Sequence, residues 1–339
     1  MNSALRVGVI GCGSRAQVYC DGVDRVPAIQ LRAYADVNQA SADRFLANYG
    51  GAYATDDPER VLADPDIDAV FICTWHDTHT ALAVSAAAHS KHILIEKPMA
   101  LTIGECWTIE EAVRKAGVTL TVGLKMRFMP VVRRAKQIVG QPLMMLAQMM
   151  NDRIPDNTWS LQPGVGGGSV LGAGCHLADL LCYFAGSDPV EIFGAGGAIT
   201  HPNPEIVDCA IATVKFSNGA IASLIQGDPG RNPYASTFFC EVFGKDKGVC
   251  LRDRFHQATF WGADLTRLGP EDLTVEERAD IEGDVALLRH FSDNALRGRP
   301  GECRAREGRI ATTMMVKLIE SIRTGQAQKV EADWRGTYA

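Results

Sequence analysis

No apolar run in this 339-residue chain approaches the roughly 18–20 residues of a membrane-spanning helix. There is no excess of positive charge either. The 34 Lys and Arg against 40 Asp and Glu give a formal net charge of −6, a balance that favours neither nucleic acid nor an anionic membrane surface. Ten cysteines are spread from Cys12 to Cys303 without a C-x-x-C pair. No His/Cys cluster has metal-ligand spacing; His89 and His92 flank an expected helix–strand junction and are set aside, so no metal is expected. The first ten residues lack a charged segment followed by a long apolar stretch, which predicts a first strand rather than a signal peptide. Reduced, mostly buried thiols and a cytoplasmic location follow as expectations. Internal repeats and low-complexity tracts are missing too.

What is present fits a globular chain long enough for two domains, with 46% hydrophobic and 22% charged residues. Up to about residue 122, strand and helix signals alternate. Strands are expected at 5–10, 29–35, 69–73, 93–95 and 120–122, with helices at 14–23, 38–49, 78–90 and 102–117 and a Pro-marked helix start at 55–58. The run Ala69-Val70-Phe71-Ile72-Cys73 has the apolar continuity of a strand buried on both faces. Such alternation predicts an α/β chain whose N-terminal domain is a doubly wound parallel sheet, a Rossmann arrangement. Past Gly123 the rhythm changes. Helices are expected at 131–139, 174–185, 285–296 and 307–323. A run of strands is expected between 190 and 260, at 207–216, 220–226, 237–243 and 248–252, with a hairpin turn at Ser217-Asn218-Gly219. The expected division is a dinucleotide domain over 1–122 and a second domain over 123–339 with a largely antiparallel sheet.

Two motifs carry chemistry. The first is the turn Gly11-Cys12-Gly13-Ser14-Arg15-Ala16 after the first strand. Gly11 permits the tight turn, Gly13 lets backbone approach a pyrophosphate, and Ala16 lets the helix pack close to its strand. Asp36 ends the second strand, where a carboxylate can bond a ribose 2′-hydroxyl and repel a 2′-phosphate, so NAD is expected over NADP. The second motif is Glu96-Lys97-Pro98, just past a buried strand. In an open α/β sheet this is the edge where ligands bind. An ammonium there can stabilise a developing alkoxide. His176 is a natural base, because its ordinary pKa lies near working pH.

In combination these residues resemble the oxidoreductase family of glucose–fructose oxidoreductase, inositol dehydrogenase and MocA. Further matches are Thr74-Trp75-His76-Asp77-Thr78-His79, similar to the family's T-P-N-x-x-H loop, and Val122-Gly123-Leu124-Lys125-Met126-Arg127-Phe128, similar to its V-G-F-N-x-R-F. Gly166-Gly167-Gly168-Ser169 leading to His176-Leu177-Ala178-Asp179 is similar to its G-G-G … H-x-x-D, and Phe216-Ser217-Asn218-Gly219-Ala220 to its late hairpin. The resemblance implies a Rossmann domain plus a C-terminal α/β domain with a large, mostly antiparallel open sheet for substrate binding and oligomerisation. It implies a homodimer or homotetramer and NAD-dependent oxidation of a secondary hydroxyl on a sugar, polyol or glycoside.

Under that resemblance, Lys97 orients the hydroxyl and His176 accepts its proton. Gly11, Cys12, Gly13, Ser14, Arg15, Asp36, Thr74, Trp75, His76, His79, Glu96 and Lys97 would meet the cofactor. Lys125, Arg127, Asp152, Trp159 and Gly172 would shape the substrate pocket. Each has a plainer alternative: Arg127 a salt bridge, His79 a helix cap, Trp159 core filling. One departure stands out. Inositol dehydrogenase-like members carry an aspartate four residues before the histidine, where this chain has Gly172. Another carboxylate such as Asp152 or Asp179 could orient His176, the space could admit a bulkier substrate group, or the chemistry could be weakened or redirected. Two competing functions therefore stay open: glycoside cleavage through transient oxidation by bound NAD, and a non-catalytic NAD-sensing subunit.

Overall fold

The computed structural model describes residues 4–230, 237–262 and 264–331. Its contacts divide the chain into two compact units. The first comprises 1–100, 104–124 and 284–309; the second comprises 101–103, 125–283 and 310–339.

The first unit is built on six parallel strands: β1 (Leu5–Ile10), β2 (Ile29–Ala35), β3 (Tyr53–Thr55), β4 (Ala69–Ile72), β5 (His92–Ile95) and β6 (Leu120–Val122). Their order is β3-β2-β1-β4-β5-β6, the doubly wound order whose switch point lies beside β1. All four residues of β4 are buried, which is why its sequence is apolar at every position rather than alternating. Helices α1 (Ser14–Val23), α2 (Gln39–Tyr49), α3 (Pro58–Leu62), α4 (His79–Ala88) and α5 (Ile103–Ala116) connect the strands. Two of them have the caps their sequences offer. Asn38 accepts from the Ala40 N–H ahead of α2, and Asp57 from the Glu59 N–H ahead of α3, with Pro58 at its first position. β3 was not expected; three residues are too few to set a period.

A single boundary near 122 does not express the return of the late segment 284–309 to this unit. Its helix, Asp284–Arg297, packs on α1 at Gly22. A Cβ there would sit 3.1 Å from Leu288 and 3.4 Å from Val285, so the small residue lets the helices approach. Phe291 from the same helix lies edge-on to Phe71, with ring centroids 6.0 Å apart.

The second unit carries a nine-stranded sheet. In chain order its strands are β7 (Met144–Met150), β8 (Pro189–Gly197), β9 (Cys209–Phe216), β10 (Ile221–Gly227), β11 (Phe238–Phe243), β12 (Gly248–Arg252), β13 (Gln257–Trp261), β14 (Thr266–Leu268) and β15 (Gln328–Lys329). The sheet order is β14-β13-β12-β11-β7-β10-β9-β8-β15, antiparallel except for the β7–β10 pair. The expected hairpin joins β9 to β10, with Gly219 at φ +86, a left-handed value that favours glycine. Helices α6 (Pro130–Val139), α7 (Ser169–Gly172), α8 (Gly174–Ala185), α9 (Val275–Ala279), α10 (Asp284–Arg297) and α11 (Ala305–Thr324) complete the chain; α10 is the helix that returns to the first unit, and the division falls within α11. β7 escapes sequence reading because MMLAQMM is apolar on both faces, although its burial alternates.

Candidate active site

The dinucleotide end of the first unit is shaped by two glycines with different tasks. Gly11 has φ +88, and a Cβ would meet the Cys73 carbonyl carbon and oxygen at 2.7 Å, so the fold itself requires glycine. At Gly13 a Cβ would meet nothing within 4 Å. Gly13 is exposed and precedes α1 with no side-chain cap and no acidic residue in the helix's first turn. The first N–H groups of α1 are thus left for an anion, as a pyrophosphate requires. Ala16 is fully buried. Cys12 contributes backbone: its N–H donates to Asp36 Oδ2 at 2.7 Å, while burial pushes its thiol up to about 12. Asp36 Oδ1 accepts from the Asn38 N–H at 2.9 Å, so the half-buried carboxylate is held from both sides beside the turn. Arg44, which the sequence did not single out, donates to the Cys12 carbonyl at 3.3 Å.

Lys97 is half-buried and follows β5; the Lys97–Pro98 peptide is cis. Its N–H donates to Glu96 Oε2 at 3.2 Å. Glu96 is the hub beneath it. Its Oε1 accepts from the Tyr19 hydroxyl and from Arg15 Nε at 2.5 Å. Burial alone would raise the Glu96 pKa. The charges of Arg15 and then Lys97, with the bonds from Tyr19 and Arg15, hold it down at about 2. Arg15 continues to Asp284 Oδ1 at 2.6 Å and lies over the Tyr19 ring. Gly123 completes the fit, since a Cβ there would come within 2.7 Å of Glu96 Oε1. Arg15 and Glu96, expected at the cofactor, are therefore engaged with each other inside the unit.

The loop after β4 braces the same segment. His79 is fully buried at the start of α4, with Nδ1 3.0 Å from the Pro98 carbonyl oxygen and Nε2 3.2 Å from that of Thr74. Its ring ties the loop to the lysine segment instead of facing outward as a cofactor contact. Burial lowers its pKa against the opposing pull of those carbonyls. The Thr78 hydroxyl donates to Thr74 Oγ1 at 2.7 Å. Trp75 is exposed and His76 buried.

In the second unit, His176 sits in the first turn of α8 and is half-buried. Gly172 is buried and ends α7. Ala173, at φ −95 and ψ −38, joins α7 to α8 and is itself right-handed helical. The backbone therefore turns helically from Gly172 to His176 across the junction, with the His176 N–H on the Ala173 carbonyl at 3.1 Å. The glycine run before α7 is sterically fixed. A Cβ on Gly166 would fall 2.2 Å from Ser160 Cα, and Gly167 and Gly168 have φ of +73 and +88. Gly168 N–H donates to the Ser160 carbonyl at 2.9 Å, folding the run against the turn that begins at Trp159. Trp159 is half-buried and Asp152 exposed.

Two expected pocket residues are braces. Arg127 is buried and closes on both oxygens of the buried Asp179: Nε to Oδ2 at 3.0 Å and Nη2 to Oδ1 at short range. It lies over the Tyr183 ring, 5.1 Å from its centroid. Asp179, an expected partner of His176, thus receives Arg127. Lys125 Nζ lies 3.0 Å from Glu282 Oε2, and Glu282 also meets His256 Nε2 at 3.0 Å. Burial opposes ionisation of Glu282, and Lys125 foremost holds its pKa low. The added charge at Lys125 is therefore matched.

Sequence reasoning missed a polar cluster in this unit. Asp208 accepts from the N–H groups of Ile199, Thr200 and His201. His201 Nδ1 lies 2.9 Å from Asp156, and its Nε2 3.9 Å from the fully buried Asp228, whose pKa burial raises. Asp156, the stretch from Ile199 to Asp208, and Asp228 come from three separate parts of the chain and form no motif. Among the described residues no group of three His, Cys, Asp or Glu could hold a metal, and no helix is long and apolar enough to cross a membrane.

Comparison with known proteins agrees with both halves. Residues 5–124 match the family model described as an oxidoreductase family, NAD-binding Rossmann fold, and residues 133–249 match the GFO/IDH/MocA C-terminal domain. The chain is 32% identical over 268 residues to oxidoreductase YrbE of Bacillus subtilis (strain 168), covering 76% of each chain. It is 25% identical over 338 residues to the myo-inositol 2-dehydrogenase of Thermotoga maritima, covering 96% of this chain and 99% of that one. In fold it is similar to the levoglucosan dehydrogenase solved in complex with NADH, with a TM-score of 0.87, 21% identity, and coverage of 97% and 100% of the two chains. The shaped glycine turn, the lysine after β5 and these matches lead to one conclusion: the chain belongs to the GFO/IDH/MocA family of NAD-dependent oxidoreductases.

Proposed function

We propose that the protein transfers a hydride between NAD and a secondary hydroxyl or ketone of a sugar, cyclic polyol or glycoside. The observation that carries this reading is Lys97, which follows β5 with its backbone N–H on the buried Glu96 carboxylate and whose charge helps keep that carboxylate ionised. The names of its relatives, which include inositol and levoglucosan dehydrogenases, point to the same substrate class. The residues fit the cofactor. Gly13 leaves open space before a helix N-terminus, and the Asp36 carboxylate, held beside the glycine turn by the Cys12 N–H, supports a bond to a ribose hydroxyl.

Bound NAD supplies the hydride acceptor. The Lys97 ammonium donates to the substrate oxygen and stabilises the alkoxide as it forms. His176 takes the hydroxyl proton as general base and returns it in the reverse direction. The domain of 1–122, with the segment 284–309 that returns to it, binds NAD, and the rest of 123–339 binds substrate and forms the oligomer. For assembly the support is the outward face of the large sheet. There Met144, Phe193, Ile211 and Ile221, on four neighbouring strands, are 45%, 45%, 61% and 49% exposed, exposed apolar side chains of the kind found at interfaces. A homodimer or homotetramer in the cytoplasm is the expected form.

Gly172 favours a second reading, glycoside cleavage through transient oxidation, because it removes the carboxylate that inositol dehydrogenase-like members place before the histidine. One assay separates the two: NADH formation by the purified protein over a panel of inositols, sugars and glycosides. Accumulating NADH supports the dehydrogenase. Aglycone release with no net NADH supports cleavage.

A further inference from the structure

The first unit has a second concave site, at the opposite edge of its parallel sheet. The glycine turn and Lys97 follow the carboxyl ends of β1 and β5. The pocket instead surrounds the starts of β5 and β6, at His92 and Leu120, and its volume is about 490 Å³. That volume lies within the roughly 300–1,000 Å³ of small-molecule sites.

Its lining is cationic in a chain of net charge −6. Arg114, Arg299, Arg304 and Arg306 line it, brought from separate segments, against the single carboxylate of Glu110. Glu110 is already matched by Arg309, whose Nε lies 2.5 Å away. Arg114 gives Nε and Nη2 to Glu111, at 3.2 and 2.8 Å. Arg304 likewise gives Nε and Nη2 to Glu307, at 3.0 and 2.9 Å. Each of these guanidiniums is held by one edge. Several planar guanidinium groups lining one cavity suit the oxygens of a phosphate. His92 adds a neutral donor: its Nδ1 accepts from the Thr119 N–H at 3.0 Å, which leaves the ring proton on Nε2.

We propose that this pocket binds the phosphate group of a small phosphorylated metabolite, at a site separate from the dinucleotide turn. The site does not depend on the reading of Lys97 and His176.

The test is calorimetric titration of the full protein with glucose 6-phosphate, with inorganic phosphate and with glucose, in the presence and absence of saturating NADH. Glucose 6-phosphate should bind with a Kd below about 1 mM, glucose should not, and NADH should leave that binding unchanged. Binding should weaken with added salt. Comparable affinity for inorganic phosphate would identify a site for the free ion; preference for the ester would identify a metabolite site. Arg299→Ala combined with Arg306→Ala should raise the Kd at least roughly tenfold with NADH affinity unchanged. If that pair fails to fold, Arg299→Gln, at an exposed side chain, should show a loss in the same direction. Absence of saturable binding, indifference to the arginine substitutions, or displacement of the phosphate ester by NADH would overturn the proposal.

Discussion

The hydroxyl of Tyr19, on α1, donates to the buried carboxylate of Glu96, one residue before Lys97. Burial keeps the phenol well above its ordinary pKa, so it remains a donor. Tyr19→Phe should cost about 1–3 kcal/mol of stability and lower kcat more than NADH affinity. Denaturant unfolding beside steady-state kinetics measures both.

The same carboxylate links stability to acid. Its folded pKa lies near 2 against an ordinary 4.5. A depressed folded pKa gives stability that is present above the ordinary value and lost as pH falls through the folded one. This contribution is on the order of 3 kcal/mol at neutral pH. Glu96→Gln should therefore be less stable than the wild type at pH 7, with a gap that narrows as pH falls from about 4.5 towards 2. Urea midpoints over that range provide the check; a constant gap would argue against the linkage.

Arg127 and Asp179 form a buried ion pair. Removing one partner leaves the other charged and buried, at a cost of about 3–5 kcal/mol. Arg127→Met should lower stability by that order, and Arg127→Met with Asp179→Leu should recover much of it. If Arg127→Met raises only KM and leaves the unfolding midpoint alone, Arg127 contacts substrate rather than bracing α8.

Gly11 and Gly13 should separate fold from binding. A side chain at Gly11 collides with the backbone at Cys73, whereas one at Gly13 enters open space. Gly11→Val should lower the thermal midpoint by several degrees, as about 1 kcal/mol or more of strain implies. Gly13→Val should keep the midpoint and weaken NADH at least roughly tenfold, by occupying the place of the pyrophosphate. Scanning calorimetry and NADH fluorescence titration distinguish them.

Asp36 should set the cofactor preference. Asp36→Ser removes the carboxylate that repels a 2′-phosphate and should shift the NADH-to-NADPH affinity ratio towards NADPH by roughly tenfold or more. Titration of both cofactors against wild type and variant is the measurement. A wild type that already prefers NADPH would reverse the reading of this residue.

The chain shows how far local pattern reaches. The parallel sheet was legible because runs such as Ala69–Ile72 are apolar throughout and alternate with helical segments, and the glycine turn because its chemistry is local. β7 was not, since methionine on both faces hides the period, and strand pairing rather than composition fixes it. The return of Asp284 to Arg15 spans 269 positions and has no sequence signal. Arg127 shows a limit of motif reading: the motif gave the residue its place, but the buried carboxylate on α8 gave it a structural task. The G-G-G to His176 block was visible as a unit, while the short helix α7 that precedes α8 within it was not.

The central claim is that Lys97 and His176 act on one hydroxyl beside NAD. It is tested most directly by single-turnover NADH formation with the best polyol of the panel, in wild type, Lys97→Met and His176→Gln. The account predicts that each variant binds NADH as the wild type does and loses about 10²–10⁴-fold in rate. It also predicts that the two losses do not multiply when combined, because both residues serve the same proton and alkoxide. Turnover at the wild-type rate in Lys97→Met or in His176→Gln would contradict it.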